Sequence, residues 1–120
     1  MPLLAYLRTA TAQAVLSALV FSVPAAPAGA QSSAPDPARR SALVELVRQD
    51  CGSCHGMTLK GGLGPPLTRE AIEDKPPAML AWTILLGRPG TPMPPWRDFV
   101  NADEAAWIVD RLQKGTLDAR

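Results

Sequence analysis

The sequence predicts an all-α domain of three main helices joined by long loops. Three segments carry apolar residues at the 3.6-residue period of a helix with one buried face. The segments between them are rich in proline and glycine, which interrupt helices and central strands. No segment alternates polar and apolar residues over enough positions to predict a strand. Loops this long in so small a domain indicate that the chain wraps around a bound group.

The first predicted helix begins at residues 36–37, where an aspartate N-cap precedes a proline at the first helical position. Leu43 and Val47 continue it at the spacing of one buried face. The same face, extended along the helix, brings Cys51 and Cys54 to the protein interior.

The second helix is predicted over residues 78–86, with Pro77 near its first position and Gly87 just past its end. Residues 56–66 before it form a predicted loop, because their glycine and proline runs sustain neither a helix nor a central strand. A short helical turn is predicted after Thr68.

The third helix is predicted to start at Asn101, after a proline-rich loop over residues 88–95. Glu104 follows three residues later, which resembles a capping box. Residues 105–112 have apolar side chains at helical spacing, and Gly115 ends the helix.

Residues 1–30 are predicted to be a secretory signal peptide that is removed. An apolar stretch over residues 14–23 precedes helix-breaking prolines and the A-x-A cleavage pattern at 28–30. The alternative is an uncleaved membrane anchor, but this stretch is short of the ~20 residues that a spanning helix needs. We therefore expect export to the periplasm of a Gram-negative bacterium, with no transmembrane segment after cleavage.

The rest of the chain is predicted to comprise a flexible segment (31–38), one small domain (39–116) and a C-terminal tail (117–120). The whole chain has 12 Lys and Arg against 11 Asp and Glu. This near balance argues against a nucleic acid as partner, because nucleic acids bind to basic surfaces.

The residues that carry chemistry are the run Cys-Gly-Ser-Cys-His at 51–55. A C-x-x-C-H run is typical of the covalent attachment of c-type haem. Residues three apart lie on one face of a helical turn. The thiols of Cys51 and Cys54 can therefore add to two vinyl groups at one edge of a haem, and His55 can donate a ring nitrogen to its iron.

Three alternatives to haem explain the same cysteines. Export favours a disulfide between Cys51 and Cys54. A thioredoxin-like redox pair would need a βαβ context, which this sequence lacks. A structural zinc site needs four ligands, whereas the chain has two cysteines and one histidine. The immediate histidine after the second cysteine favours haem c.

A second axial ligand of the iron is expected among the methionines, because His55 is the only histidine. Met57 is too close to His55 in the chain to reach the opposite face of a haem. Met79 lies in a predicted helix, where methionine often fills a core. Met93 lies in a proline-rich loop whose rigidity lowers the entropy lost in holding it. We predict Met93, with Met79 or an open site as alternatives.

Three segments of the sequence, 51–55, Gly-Pro-Pro-Leu at 64–67 and Met-Pro-Pro-Trp at 93–96, resemble the class I cytochromes c. The resemblance implies the small class I cytochrome c fold, with three main helices and long loops wrapped around one covalent haem c and its iron. It further implies that the carbonyl of Pro65 accepts a hydrogen bond from the ring of His55. In that family the first and last helices also cross.

The loops at 61–67 and 87–96 are similar to those of the small cytochrome c-55X proteins encoded with the haem-d nitrite reductase of denitrifying bacteria. This resemblance implies a carrier of single electrons between redox proteins, with that reductase as a partner. An accessory role in maturation of the reductase's haem d is the alternative. Attachment of the haem would require the cytochrome c maturation machinery. No enzyme is expected, because a haem enzyme usually needs an open iron position and a distal acid or base.

The tryptophans of the predicted domain divide into two groups. Trp82 and Trp107 lie on predicted helices and are expected to pack in the core. Trp96 follows the methionine loop and is expected at the haem pocket, where its N–H would reach a propionate. Arg88 and Arg97 flank the same loop and face either solvent or a propionate.

Overall fold

The computed structural model describes residues 34–117. The predicted signal peptide, residues 31–33 of the predicted flexible segment and residues 118–120 of the predicted tail lie outside the described residues. The described elements are α1 (Pro37–Leu46), a π-helical turn (Val47–Cys51), α2 (Gly52–His55), α3 (Arg69–Ile72), α4 (Pro77–Leu86) and α5 (Ala102–Gln113). Residues 34–117 contain no strand, so the prediction of an all-α domain is confirmed for this range.

The start of α1 has the predicted cap. The side chain of Asp36 accepts a hydrogen bond from the Arg39 N–H at 3.0 Å, and Pro37 is the first helical residue. This cap satisfies a backbone donor that the helix itself leaves free. The helix thus begins where the cap predicted it, two residues before residue 39, where the domain was predicted to start.

A π-helical turn separates α1 from α2 without a break in the chain of helical residues. The N–H of Gly52 donates to the carbonyl of Val47, five residues back. The sequence predicted a regular helix here, because a pattern of apolar residues carries no signal for the one extra residue of a π turn. The turn ends at Cys51, the first cysteine of the C-x-x-C-H run.

The start of α5 has the predicted capping box. The side chain of Asn101 accepts from the Glu104 N–H at 2.9 Å, and the Glu104 carboxylate accepts from the Asn101 N–H at 2.9 Å. Past the end of the helix, Gly115 has φ 65°, a left-handed conformation that glycine adopts without strain.

Helix α5 packs along α4 and also contacts α3. The side-chain amide of Gln113 donates to the carbonyls of Ile72 and Lys75, each at 2.9 Å. At the opposite end of α5, Arg39 of α1 donates to the Glu104 carboxylate at 2.6 Å. These contacts connect one end of α5 to α1 and the other end to α3 and the turn after it.

The core contains apolar side chains from each of the three long helices, α1, α4 and α5. The residues of its buried cluster are Leu43, Val47, Leu59, Ile72, Leu85, Val100, Ala105, Ile108, Leu112 and Leu117. The faces predicted for the first and last helices therefore meet in one core. Leu117, which the predicted boundaries assign to the tail, belongs to it.

One tryptophan prediction is confirmed and one is wrong. Trp107 packs against the buried cluster. Trp82 does not belong to the core, since 57% of its surface is exposed. Leu80, Ile84 and Leu85 turn one side of α4 to the core, and Trp82 lies outside the arc that these residues cover on the helix.

Candidate haem site

A cavity of about 800 Å³ lies among α2, the loop after it, α4, the loop after α4, and α5. This volume is in the range of roughly 300–1,000 Å³ typical of cofactor and small-molecule sites. All six residues predicted for the site line this cavity: Cys51, Cys54, His55, Pro65, Met93 and Trp96. The structure therefore brings together residues that are up to 45 positions apart in the chain (96 − 51).

The two cysteines are free thiols at one side of the cavity. Burial raises the pKa of the Cys51 thiol to about 11, and the adjacent Asp50 carboxylate adds to the shift. The thiol of the haem-free chain is therefore protonated at neutral pH. The π turn ends at Cys51, and Cys54 lies three residues on in α2, so both thiols face the same cavity.

The imidazole of His55 is buried, with 8% of the residue exposed. Its Nδ1 lies 2.6 Å from the carbonyl oxygen of Pro65. Since a carbonyl only accepts, Nδ1 carries the proton, and Nε2 keeps the lone pair that a metal ion binds. The contact expected from the resemblance is therefore present.

Gly64 brings the backbone of the loop against the His55 ring. A Cβ at this position would lie 2.7 Å from both Cε1 and Nδ1 of His55. Only glycine fits this approach without a shift of the ring or the loop. Gly64 belongs to the predicted 64–67 motif, but no role at the His55 ring was predicted for it; its place directly before Pro65 is the signal that could have indicated one.

Backbone hydrogen bonds hold this loop on α2. The N–H of Gly64 donates to the carbonyl of Cys54 at 2.8 Å, and the N–H of Gly61 donates to that of His55 at 2.8 Å. Deeper in the loop, Leu59 is fully buried with φ 57°. A leucine in the left-handed region of backbone space is strained. Burial of the Leu59 side chain offsets this strain and helps to keep the backbone in that conformation.

The loop after α4 carries Met93 to the cavity. The N–H of Arg88 donates to the carbonyl of Met93 at 3.1 Å. Gly87 has φ 66°, and a Cβ there would lie 2.7 Å from the Met93 oxygen. Met79 of α4 lines the same cavity and is 48% exposed. Both methionines considered from the sequence are thus present at the site, one on a closed loop and one on a helix.

Trp96 lies half-buried at the cavity next to that loop. Its backbone N–H donates to the Ile84 carbonyl at 3.1 Å, and its ring contacts Phe99 with centroids 5.7 Å apart. Arg88 lines the cavity, and Arg97 is not among the lining residues. Of the two arginines predicted beside the loop, Arg88 therefore has the position to approach a bound anionic group.

A family model described as "Cytochrome C oxidase, cbb3-type, subunit III" matches residues 38–110, and the chain belongs to this family of c-type cytochromes. Within the family it is similar to "Cytochrome c55X" of Pseudomonas aeruginosa, with 46% identity over 92% of both chains. It is also similar to the solved structure of "c-type cytochrome NirC", with 54% identity and a TM-score of 0.70. That likeness covers 71% of this chain and 100% of the other.

A shorter stretch resembles an enzyme. The match is to "Dihydro-heme d1 dehydrogenase" of Pseudomonas aeruginosa, with 46% identity over 48 residues. It covers 40% of this chain and 10% of the enzyme, so the likeness is confined to a small part of that longer protein.

Membership in the c-type cytochromes implies one covalent haem c with its iron. The residues at the cavity fit this group. Cys51 and Cys54 supply the two thiols, His55 presents Nε2, and apolar side chains from α4 and α5 form part of the remaining wall. The class I cytochrome c fold predicted from the sequence is confirmed by the helical structure and the NirC likeness.

Proposed function

We propose that this protein is a periplasmic mono-haem c-type cytochrome that carries single electrons between redox proteins. Its proposed partner is the haem-d nitrite reductase of denitrification. When bound, the haem supplies a one-electron iron couple. The convergence of all six predicted residues on one cavity is the observation that carries the proposal.

The chain's own residues would hold and tune that couple. Cys51 and Cys54 would form the thioethers, and His55 would bind the iron through Nε2. The Pro65 carbonyl keeps the proton on Nδ1 and fixes the ring plane. Met93 would supply the second protein ligand to the iron, which would leave no open site for a substrate and would favour a carrier over an enzyme.

The apolar wall of the cavity should influence the reduction potential of the haem. Leu80, Ile84, Ile108, Val109 and Leu112 form apolar surface around the site. Such surface limits the access of water and disfavours extra charge on the iron. We therefore expect these residues to raise the reduction potential relative to a solvent-exposed haem.

Replacement of Met93 by alanine tests the proposed ligand set, with Met79→Ala as the matched control. Both side chains line the cavity, but only Met93 is proposed to bind the iron. We expect Met93→Ala to lose the low-spin spectrum of a His/Met haem and to bind cyanide or carbon monoxide readily. Met79→Ala should keep the spectrum of the parent protein.

The reverse pattern, with the spectrum lost in Met79→Ala and kept in Met93→Ala, would assign the ligand to α4. An unchanged spectrum in both variants would remove methionine from the proposal. The reduction potential of each variant gives a second readout, because loss of an axial methionine lowers it.

A role in maturation of haem d is the second candidate function. The partial likeness to a protein named dihydro-heme d1 dehydrogenase favours it, since that name places a related domain in an enzyme that acts on haem d1. In this role the chain would accept or supply electrons for a step on the cofactor rather than for the finished reductase.

Deletion of the gene separates the two roles. An electron carrier to the reductase should leave the reductase with its full complement of haem d and slow its turnover. A maturation protein should leave the reductase short of haem d. Fractionation of the same cells, followed by haem staining, tests the proposed periplasmic location.

A further inference from the structure

Three residues of α4 form an exposed apolar stripe. Met79, Trp82 and Leu86 follow at i, i+3 and i+7, so they lie on one side of the helix. Their exposed fractions are 48%, 57% and 51%. We call these three residues the α4 stripe. A different side of α4 packs against the core through Ile84 and Leu85.

The exposed tryptophan is the unusual member of this stripe. Burial of an aromatic side chain of this size removes roughly 150–250 Å² of surface from water, and contiguous exposed apolar surface marks interaction sites. Tryptophan is also enriched among the residues that dominate protein–protein binding. Trp82 therefore has the chemistry of a docking residue and does not belong to the buried core cluster.

The stripe reaches the haem site. Met79 belongs both to the stripe and to the wall of the cavity, and Thr83, one residue after Trp82, also lines the cavity. A protein that covers the stripe would therefore lie against the same helix that forms part of the haem pocket. This position suits transfer of an electron across a small contact.

The chain segment that carries the stripe contains charged residues of one sign only. Residues 76–97 contain two arginines, Arg88 and Arg97, and no aspartate or glutamate. Arg88 is two residues past Leu86, and the N–H of Arg97 donates to the Leu85 carbonyl at 3.2 Å. Both are therefore placed at the C-terminal end of α4. Within residues 34–117 neither takes part in an ion pair.

The other end of α4 is neutral by comparison. Lys75 precedes the helix, and its Nζ contacts the Asp74 carboxylate at 3.1 Å and the Ala71 carbonyl at 2.8 Å. The free positive charge thus lies at one end of the stripe. The nearest carboxylate in sequence on that side is Asp98, beyond Arg97.

We propose that the α4 stripe is the docking face for the redox partner, and that the partner presents an apolar centre with carboxylates at one edge. Trp82 and Leu86 fill the apolar centre, and Arg88 and Arg97 meet the carboxylates. This inference rests on the proposed electron-carrier function and adds the surface and the chemistry of the partner's face.

The test uses the complete holoprotein and purified haem-d nitrite reductase as the probe, with electron transfer followed by stopped-flow absorbance. Trp82→Gln should lower the second-order rate constant by about tenfold or more, as loss of a dominant contact residue does. Met57→Gln is the matched control, because Met57 is 55% exposed and lies outside the stripe. It should change the rate by less than about twofold.

Charge reversal tests the edge of the face. Arg97→Glu should lower the rate at low salt and weaken its dependence on ionic strength, because the attraction of carboxylates is removed. Arg88 is left unchanged in this test because it also lines the haem cavity. Lys60→Glu is the matched control, an exposed cation of the loop after α2 that makes no ion pair within the described residues. It should leave the salt dependence unchanged.

A spectroscopic control and a second stripe variant separate a loss of docking from damage to the haem site or to the fold. The reduced spectrum and the reduction potential of Trp82→Gln should match those of the parent protein. Leu86→Gln provides a second stripe variant if Trp82→Gln folds poorly, with a loss of rate of several-fold expected.

The outcomes distinguish this inference from the proposed function. Rapid transfer by the parent protein and unchanged rates in Trp82→Gln and Leu86→Gln would overturn the docking face alone. Equal losses in Met57→Gln and Trp82→Gln would do the same. Absence of transfer from the parent protein would overturn the proposed partner and, with it, this docking face.

Discussion

The junction of α1 with α5 and the wall of the cavity differ in what their polar groups contact. At the junction, Arg39 donates to both carboxylate oxygens of Glu104, at 2.6 and 3.0 Å. The same arginine donates to the Phe99 carbonyl at 2.7 Å, and Glu104 also caps the N–H of Asn101. Each of these groups has its partner within the chain.

At the wall of the cavity, the potential ligands point to a shared space instead. His55 uses only Nδ1 in its contact with Pro65, and Cys51, Cys54 and Met93 line the cavity beside it. The junction therefore stabilises the fold, whereas the cavity contains the groups that are proposed to bind the haem. Changes at the junction should alter stability alone, whereas changes at the cavity should also alter the haem spectrum.

The largest change in stability is expected for Leu59→Ala, in the loop that carries Pro65. Leu59 is fully buried, and removal of such a side chain costs about 2–5 kcal/mol in the free energy of unfolding. Chemical denaturation of the holoprotein measures it. Met57→Ala, at a 55% exposed position, is the control and should cost little. A loss below about 1 kcal/mol in Leu59→Ala would show that the loop does not depend on this residue.

Gly64→Ala, at the cavity, should change both the stability of the protein and the haem spectrum. The added Cβ must displace the His55 ring or the loop, and such overpacking costs about 1–3 kcal/mol. The visible spectrum and the reduction potential should shift with it. Gly90→Ala is the control, since a Cβ there meets nothing within 4 Å and only its φ of 78° is unfavourable. An unchanged spectrum in Gly64→Ala would contradict the close packing of ring and loop.

Asn101→Ala, at the junction, should change the stability of the protein and leave the haem spectrum unchanged. It removes the side-chain acceptor of the α5 cap, which costs about 1 kcal/mol of unfolding free energy. The haem spectrum and potential should stay as in the parent protein. A spectral change would show that the start of α5 and the cavity are coupled, contrary to the comparison.

The smallest effect is expected from the pH dependence of the Arg39–Glu104 pair. The hydrogen bond from Arg39 holds the pKa of Glu104 below its ordinary value of 4.5. Because the folded pKa is the lower one, the pair stabilises the fold fully above the unfolded value and loses this contribution as the pH falls through the folded value. Thermal unfolding of the parent protein and Glu104→Gln between pH 7 and pH 3 measures it.

The two proteins should differ in melting temperature at neutral pH and converge in acid. Glutamine keeps a capping-box side chain at this position, so the comparison isolates the charge. Glu45→Gln is the control, because Glu45 is 62% exposed and lies 3.6 Å from Arg48, a pair that contributes little. A constant difference between the parent protein and Glu104→Gln across this range would contradict the assigned pKa shift.

The local features of this protein follow from short stretches of its sequence. The Asp36 cap, the Asn101–Glu104 capping box and the C-x-x-C-H run are each complete within a few residues. Helix periods and caps depend on neighbours three or four positions away, so the printed sequence contains all that they need. The two long helices after the C-x-x-C-H run, α4 and α5, were predicted for the same reason.

Contacts between distant residues, in contrast, depend on the tertiary fold. The contact of His55 with Pro65, the burial of Leu59 and the presence of both Met79 and Met93 at one cavity depend on how the loops close. The same is true of the exposure of Trp82, whose side of α4 was predicted to pack in the core. Loop closure and helix packing bring together residues that are far apart in the chain. A local pattern of apolar residues does not show which side of a helix other elements will cover.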